Sequence, residues 1–158
     1  MAGDRVGSVT AVRAEAEAVL EAGPDRAFAV LADLATWPAW LDVVARADPD
    51  GAGADGNAAW RVRLGLSLGP ASIGYDVRMV RVIATQAEQL RFERDENDGR
   101  SDHSMVVIDV RLVAAGELTR ANVRLEVDKR IPMLDLQRQL DRRAVRATQR
   151  LQRLLDES

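Results

Sequence analysis

The chain has 158 residues, of which 47% are hydrophobic, a formal net charge of −3, no cysteine and one histidine. This length and hydrophobic content suit one domain with one buried core, and the small negative charge argues against nucleic-acid binding, which needs a cationic surface. The lack of cysteine excludes disulfides, thiolate nucleophiles and cysteine-ligated metals, and a single histidine excludes sites built from two imidazoles.

The two ends of the chain set its predicted boundaries. Residues 1–8 are predicted to be a loose terminus and residues 9–158 a single domain. The terminus lacks the apolar segment of a secretory signal, and the longest uninterrupted apolar run, residues 27–32, is far too short for a membrane span. We therefore expect a cytoplasmic protein with no transmembrane segment. Its many arginines and alanines, with Lys129 as the only lysine, favour a GC-rich bacterial genome.

Residues 12–20 alternate between apolar and charged side chains. Val12, Ala14, Ala16, Ala18 and Leu20 share one face, and Arg13, Glu15 and Glu17 share the other. This period of two predicts a half-buried strand. A helix is the alternative, because alanine and glutamate favour helices, but the clean separation of the charges decides for the strand.

Two short helices are predicted after this strand. Gly23-Pro24-Asp25 is a helix-start signal, because proline fits the first turn and an acidic residue complements the helix dipole. Trp37-Pro38 interrupts this helix, since the residue before a proline avoids the α region. Pro38 then opens a second short helix through Trp40, Leu41 and Val44. The turn-rich residues 48–53 predict a loop around a short strand near residues 44–48.

Five further strands are predicted as a meander, at residues 60–68, 73–83, 90–92, 104–112 and 121–127. Gly69-Pro70, Asn97-Asp98-Gly99 and Ala115-Gly116 provide turns between them. If the last two strands pair across Ala115-Gly116, Val110 lies opposite Ala121, and Ile108 lies opposite Val123. Apolar side chains then meet along the whole pair, as a half-buried sheet requires.

The last element is predicted to be a long amphipathic helix that starts at Pro132. Apolar residues recur at intervals of three and four, and five arginines occupy the opposite side. The helix is expected to span roughly 35–40 Å, enough to lie along a whole sheet. The apolar positions are Met133, Leu136, Leu140, Ala144, Ala147, Leu151 and Leu154.

This order of elements, with GPDRAFAVLADLATWPAW after the first strand, resembles the START-like (SRPBCC) superfamily. Within it, the chain is similar to the bacterial polyketide cyclase/dehydrase and lipid-transport group. The resemblance runs from about residue 9 to residue 155 and rests on Pro24-Asp25, Leu31-Ala32-Asp33 and Trp37-Pro38-x-Trp40. It implies an α+β helix-grip fold, in which a curved seven-stranded antiparallel sheet wraps around the C-terminal helix over an apolar cavity. It does not fix an activity.

The residues support a cavity on separate grounds. Six consecutive antiparallel strands twist and curl, so a single helix does not fill the concave side everywhere. The apolar stripe of the helix narrows to Ala144 and Ala147, and the first strand offers Ala14, Ala16 and Ala18. Such small side chains leave either a void or a close contact between backbones. On the residues alone close packing is favoured, because alanines more often mark tight packing. Taken together with the resemblance, they lead us to expect a void that holds a ligand.

The predicted ligand contacts combine large apolar side chains with two polar ones. The three tryptophans line a pocket in this interpretation, or fill the core in the alternative. Tyr75 and Arg81 orient a polar ligand group, unless Tyr75 bonds a backbone carbonyl and a bulge returns Arg81 to solvent. The set is Trp40, Trp60, Leu64, Tyr75, Val77, Met79, Arg81, Phe92, Met133, Leu136, Leu140 and Ala144.

No catalytic constellation stands out in the sequence. His103 is predicted to be a solvated residue on the outer face, and no cofactor or metal is expected. The leading hypothesis is binding or transport of a hydrophobic small molecule such as a lipid, isoprenoid or polyketide. A cyclase/dehydrase-like enzyme would need proton donors in the cavity, for which Tyr75, Arg81, Ser72 and Ser104 are the candidates. The other alternative is an interaction module with a filled core, and the sequence leaves a homodimer open.

Overall fold

The computed structural model describes residues 11–68, 71–95, 104–128 and 136–158. It has the predicted α+β arrangement: one strand, two short helices, six strands and a long C-terminal helix. The elements are β1 (Ala11–Leu20), α1 (Pro24–Leu31), a 3₁₀ helix (Leu34–Ala39), β2 (Val44–Ala52), β3 (Ala58–Leu68), β4 (Ala71–Thr85), β5 (Gln89–Arg94), β6 (Val106–Ala115), β7 (Leu118–Asp128) and α2 (Leu136–Glu157).

The strands form one seven-stranded antiparallel sheet in the order β1-β7-β6-β5-β4-β3-β2. Strands β2 to β7 pair with their neighbours in sequence, and β1 joins the far side of β7. The sheet therefore has β1 and β2 at its two edges. Helix α2 packs against the β1 edge, which confirms the predicted helix-grip fold with a curved sheet.

The alternation in β1 is confirmed. Ala14 and Leu20 are buried, whereas Arg13, Glu15 and Glu17 are exposed. The strand pairs with β7 along its whole length, so the helical alternative for this segment is wrong. Its charged face is solvated, and its alanine face lies towards the core.

The second short helix begins earlier than predicted. It is a 3₁₀ helix that contains Pro38, not a helix that Pro38 opens, and it ends at Ala39. The reason is Asp33, whose side chain accepts a hydrogen bond from the backbone N–H of Ala35 at 3.0 Å and so starts the turn ahead of the proline. Val44 belongs to β2 and not to this helix.

Strand β2 continues through the stretch predicted as a loop and ends at Ala52. Proline has no N–H to donate to a neighbouring strand. Pro49 is tolerated here because β2 is an edge strand and has a partner strand on one side only. The irregularity of this stretch appears as a register shift between Pro49 and Ala52.

The register of β6 and β7 differs from the prediction by two residues. Val110 pairs with Val123 and not Ala121, and Ile108 pairs with Leu125 and not Val123. The turn consists of Gly116 and Glu117, one residue later than expected, because Gly116 supplies the positive φ (66°) that a tight hairpin turn needs. A shift of two residues keeps each side chain on its face, so apolar residues still meet.

Helix α2 is buried at its two ends and more open in the middle. Leu136 and Leu140 are buried near one end and Leu151 and Leu155 near the other, whereas Ala144 between them is only partly buried. The predicted start at Pro132 lies outside the described residues, as do Met133, His103 and the turns at Gly69-Pro70 and Asn97-Asp98-Gly99.

Candidate ligand-binding cavity

A partly enclosed cavity of about 270 Å³ lies between α2 and the β1–β7 end of the sheet. An engineered apolar cavity of about 150 Å³ is large enough to bind benzene. The present cavity therefore has room for a small organic molecule. Side chains from α2, β1, β7 and the segment after the 3₁₀ helix form its walls, together with Gly65 of β3.

Alanines form the sheet wall and the helix wall of this cavity. On β1, Ala16 pairs with Val123 of β7 and Ala18 pairs with Ala121, and all four residues line the cavity. Ala144 and Ala147 line it from α2. Larger side chains at these positions would fill the space, so the cavity exists because facing elements both carry short side chains.

Two leucines set the length of the cavity. Leu140 and Leu151 line it and are 5% and 1% exposed. They are eleven positions apart, which corresponds to about 16 Å along a helix with a rise of 1.5 Å per residue. The helix is thus anchored on both sides of its alanine section and does not collapse onto the sheet between the anchors.

The opposite wall is the segment after the 3₁₀ helix. Trp40, Leu41 and Val43 line the cavity there. The backbone N–H of Leu41 donates to the Trp37 carbonyl at 2.8 Å, and that of Gly65 donates to the Val43 carbonyl at 2.8 Å. These bonds fix the wall to the preceding helix at one end and to β3 at the other.

Trp40 differs from the other two tryptophans in the hydrogen bonding of its indole N–H. Trp37 donates to the Leu31 carbonyl at 3.0 Å and Trp60 donates to Asp33 Oδ1 at 3.1 Å. Trp40 is 5% exposed, and its Nε1 has no hydrogen-bond partner among the described residues. A buried donor left without an acceptor costs about 1–3 kcal/mol. Trp40 thus contributes a buried, unpaired donor to the wall of the cavity.

Charged residues surround the mouth of the cavity on the side of the 3₁₀ helix. Asp42 accepts hydrogen bonds from Arg150 at 2.9 Å and from Arg143 at 3.3 Å. These bonds connect the segment after the 3₁₀ helix to α2 across the opening. Gln139 and Arg146 also line the cavity. We call the contact of Asp42 with the two arginines the Asp42 clasp.

The other side of α2 is fixed to the free edge of β1. The side-chain amide of Gln137 accepts from the Glu15 N–H at 2.8 Å and donates to the Glu15 carbonyl at 2.8 Å. Gln152 makes the same pair of bonds with Glu21, at 2.7 and 3.3 Å. Each glutamine thus replaces a strand partner at the edge, and the two lie on either side of the alanine section.

A second hollow lies on β2, β3 and β4 and has a volume of about 400 Å³. Its lining is mostly charged. Arg46 pairs with Asp48 at 2.6 Å, and Arg63 pairs with Asp76 at 2.9 Å. Apart from Val62 and Val77, the side chains that line the hollow are charged, so it offers little apolar surface to a guest.

Residues 11–156 match the family described as "Polyketide cyclase / dehydrase and lipid transport". The chain belongs to this family. The match extends from β1 nearly to the end of α2 and so includes all the elements that form the cavity. Among curated proteins, none matches the chain.

Several solved structures share the fold of this protein, although their sequence identity to it is low. A START superfamily protein from Mycobacterium smegmatis is 13% identical with a TM-score of 0.64, over 94% of this chain and 98% of the other. The Zhui aromatase/cyclase from a Streptomyces species is 12% identical with a TM-score of 0.58, over 92% and 94%. The di-domain aromatase/cyclase StfQ of the steffimycin pathway is 13% identical with a TM-score of 0.63, over 98% of this chain and 53% of that longer chain.

Ten of the twelve predicted contact residues fall into two groups. Trp40, Leu140 and Ala144 line the cavity. Seven others are buried in the core away from its lining. Two of them belong to an aromatic cluster, in which the rings of Trp37 and Trp60 pack against Phe92 with centroid distances of 6.1 and 5.7 Å. These seven are Trp60, Leu64, Tyr75, Val77, Met79, Phe92 and Leu136.

Arg81 lies at the predicted bulge, where the pairing of β4 with β5 shifts between Arg81 and Ile83. It is partly exposed. Its guanidinium donates to the Ala32 carbonyl at 3.0 Å and lies 5.9 Å from the centre of the Trp60 ring. Arg81 thus holds the end of α1 against β3 and does not line the cavity.

The residues at the cavity mouth were not predicted from the sequence. Asp42 and Gly65 follow no apolar period, and arginines on an exposed helix face look alike until the fold places three of them beside an opening. Gln137 and Gln152 also gave no signal. Within the described ranges, no group of acidic or histidine side chains is arranged to hold a metal. In the same ranges, no helix is both long and apolar enough to cross a membrane.

Proposed function

We propose that this protein binds a small hydrophobic molecule, such as a lipid, isoprenoid or polyketide fragment, in the cavity between α2 and the β1–β7 end of the sheet. The observation that carries the proposal is the pair of alanine walls held apart by Leu140 and Leu151. Membership of a family that includes lipid transport supports it. We further propose that the protein is bacterial and cytoplasmic and has no nucleic-acid partner.

Burial of apolar surface provides the affinity in this proposal. Each 100 Å² of apolar ligand surface removed from water contributes roughly 2.5 kcal/mol before the cost of association is subtracted. The volume of about 270 Å³ is at the low end for ligand pockets, which favours a compact guest or one end of a longer chain that extends through the mouth.

Binding without chemistry is favoured over catalysis by what lines the cavity. Enolisation or dehydration needs a proton donor or acceptor at the reacting atom. Tyr75 and Ser104 are buried outside the lining. The carboxyl groups in the lining belong to Glu17 and Asp42, which face arginines in ion pairs at 3.9 and 2.9 Å. We therefore propose a carrier or sensor of the ligand.

A titration with N-phenyl-1-naphthylamine, an uncharged apolar dye that fluoresces when it leaves water, tests the proposal. We expect saturable binding by the native protein. Ala144→Trp places an indole in the cavity and should weaken binding at least about tenfold, which corresponds to about 1.4 kcal/mol. The matched control is Val145→Trp, because Val145 is next in sequence but 73% exposed. Folded Ala144→Trp protein that binds the dye as the native protein does would overturn the proposal.

A further inference from the structure

Three arginines of α2 lie together at the cavity mouth. Arg143, Arg146 and Arg150 are spaced by three and four residues, so they occupy one face of the helix, and all three line the cavity. Side chains of like charge at this spacing repel one another and destabilise a helix slightly. The arrangement therefore favours an anion at this face.

One carboxylate at the mouth serves two of the three cations. Asp42 accepts from Arg143 and Arg150, which flank Arg146 in the sequence. The other carboxylate in the lining, Glu17, pairs with Arg120 of β7 at 3.9 Å. Among the described residues, Arg146 has no ion pair. The cavity lining therefore includes one guanidinium, on the same helix face as two paired ones, that has no ion pair with a described residue.

We propose that the ligand of this cavity carries an oxyanion group, such as a carboxylate, sulfonate or phosphate, which Arg146 binds at the mouth. This inference rests on the proposed function and adds a charged end to the apolar guest. A guanidinium presents paired N–H donors that match two oxygens of one oxyanion group, so its contact is directional as well as electrostatic.

The geometry also gives the orientation of the ligand. The apolar end lies among Ala16, Ala18, Ala144 and Ala147, and the anionic end stays at the exposed rim with Arg146. No charge is then buried without a partner, which would cost far more than the apolar contacts return. A ligand charged at both ends, or at its middle, does not fit this arrangement.

Two dyes with the same aromatic skeleton separate the charge from the cavity. N-Phenyl-1-naphthylamine is uncharged, and 8-anilinonaphthalene-1-sulfonate adds one sulfonate. We expect Arg146→Gln to weaken binding of the sulfonate dye roughly three- to tenfold, as for a partly exposed ion pair, and to leave binding of the uncharged dye unchanged. Arg142→Gln is the matched control, because it removes the same charge from α2 at a position outside the lining.

Displacement of the uncharged dye by an aliphatic acid and by the matching alcohol completes the test. Decanoate should displace the uncharged dye from the native protein more strongly than decan-1-ol does, and this preference should shrink in Arg146→Gln and at high salt. If neither dye binds, or both bind in Ala144→Trp as in the native protein, the proposed function fails. If the uncharged dye binds in the cavity but Arg146→Gln and Arg142→Gln affect the sulfonate dye equally, only the oxyanion site fails.

Discussion

Asp42 Oδ1 accepts a hydrogen bond from Arg150 at 2.9 Å, and this contact joins the segment after the 3₁₀ helix to α2 beside the cavity. Both side chains are about one-third exposed, so the bond is open to water and salt. Exposed ion pairs contribute only about 0–1 kcal/mol to folding. The Asp42 clasp is thus weak enough to open, and its three residues line the cavity.

Asp42→Asn should accelerate ligand exchange with little effect on folding. We expect faster association and dissociation of the uncharged dye in stopped-flow experiments, and a change in unfolding free energy below about 1 kcal/mol. Asp48→Asn removes a similar exposed ion pair far from the cavity and serves as the control. Unchanged exchange rates in Asp42→Asn would show that the clasp does not restrict the mouth.

The glutamine contacts at the edge of β1 predict a pattern of hydrogen exchange. Gln152→Ala removes the acceptor of the Glu21 N–H, so this amide should exchange faster while the Glu15 amide stays protected. Gln137→Ala should do the reverse. Each variant should lose about 1 kcal/mol of stability, the usual net value of a hydrogen bond. Equal acceleration of both amides would indicate that α2 detaches as a whole.

Arg81 is expected to matter for stability and not for binding. Its hydrogen bond to the Ala32 carbonyl and its contact with Trp60 lie outside the cavity lining. Arg81→Gln should therefore lower the unfolding free energy by about 1–2 kcal/mol and leave the affinity for both dyes unchanged. A selective loss of sulfonate-dye binding in this variant would instead identify Arg81 as the anion contact.

The ion pairs that Arg78 makes with Asp50 and Asp95 predict that the stability of the protein depends on pH. The guanidinium of Arg78 donates to Asp50 at 2.8 Å and to Asp95 at 2.5 Å, and its hydrogen bond holds the pKa of Asp50 below the ordinary range. A carboxyl whose pKa is lower in the folded state contributes stability above its unfolded pKa of about 3.9, and loses it as the pH falls through the folded value.

Arg78→Gln should consequently destabilise the protein at pH 7, and by less at pH 3. Urea unfolding at both values measures the difference. Arg46→Gln, which removes an exposed pair with Asp48, should have a small effect at either pH. A constant Arg78→Gln effect between pH 7 and pH 3 would contradict the assignment of the stabilisation to ionised Asp50.

The regular elements could be predicted because their signals are periodic. The alternation in β1 and the three- and four-residue spacing in α2 follow directly from which face is buried. The place of the cavity could also be predicted, because short side chains replace large ones on two elements that face each other. These are Ala16 and Ala18 on β1 and Ala144 and Ala147 on α2.

The rest depended on contacts between distant parts of the chain. Trp60 and Phe92 have the same apolar character whether they fill a core or line a pocket, and only packing against Trp37 decides between the two. Likewise, Asp42 and Arg150 are 108 positions apart, and neither interrupts a pattern. The shift of two residues between β6 and β7 was hidden because it preserves the faces of both strands.

The most direct measurement is an NMR experiment on protein with ¹³C-labelled alanine methyl groups and bound N-phenyl-1-naphthylamine. Intermolecular NOEs from the dye to the methyl groups of Ala16, Ala18, Ala144 and Ala147 are the predicted result. NOEs confined to other alanines, such as Ala32 or Ala59, with these four unaffected, would contradict a ligand cavity between α2 and the sheet.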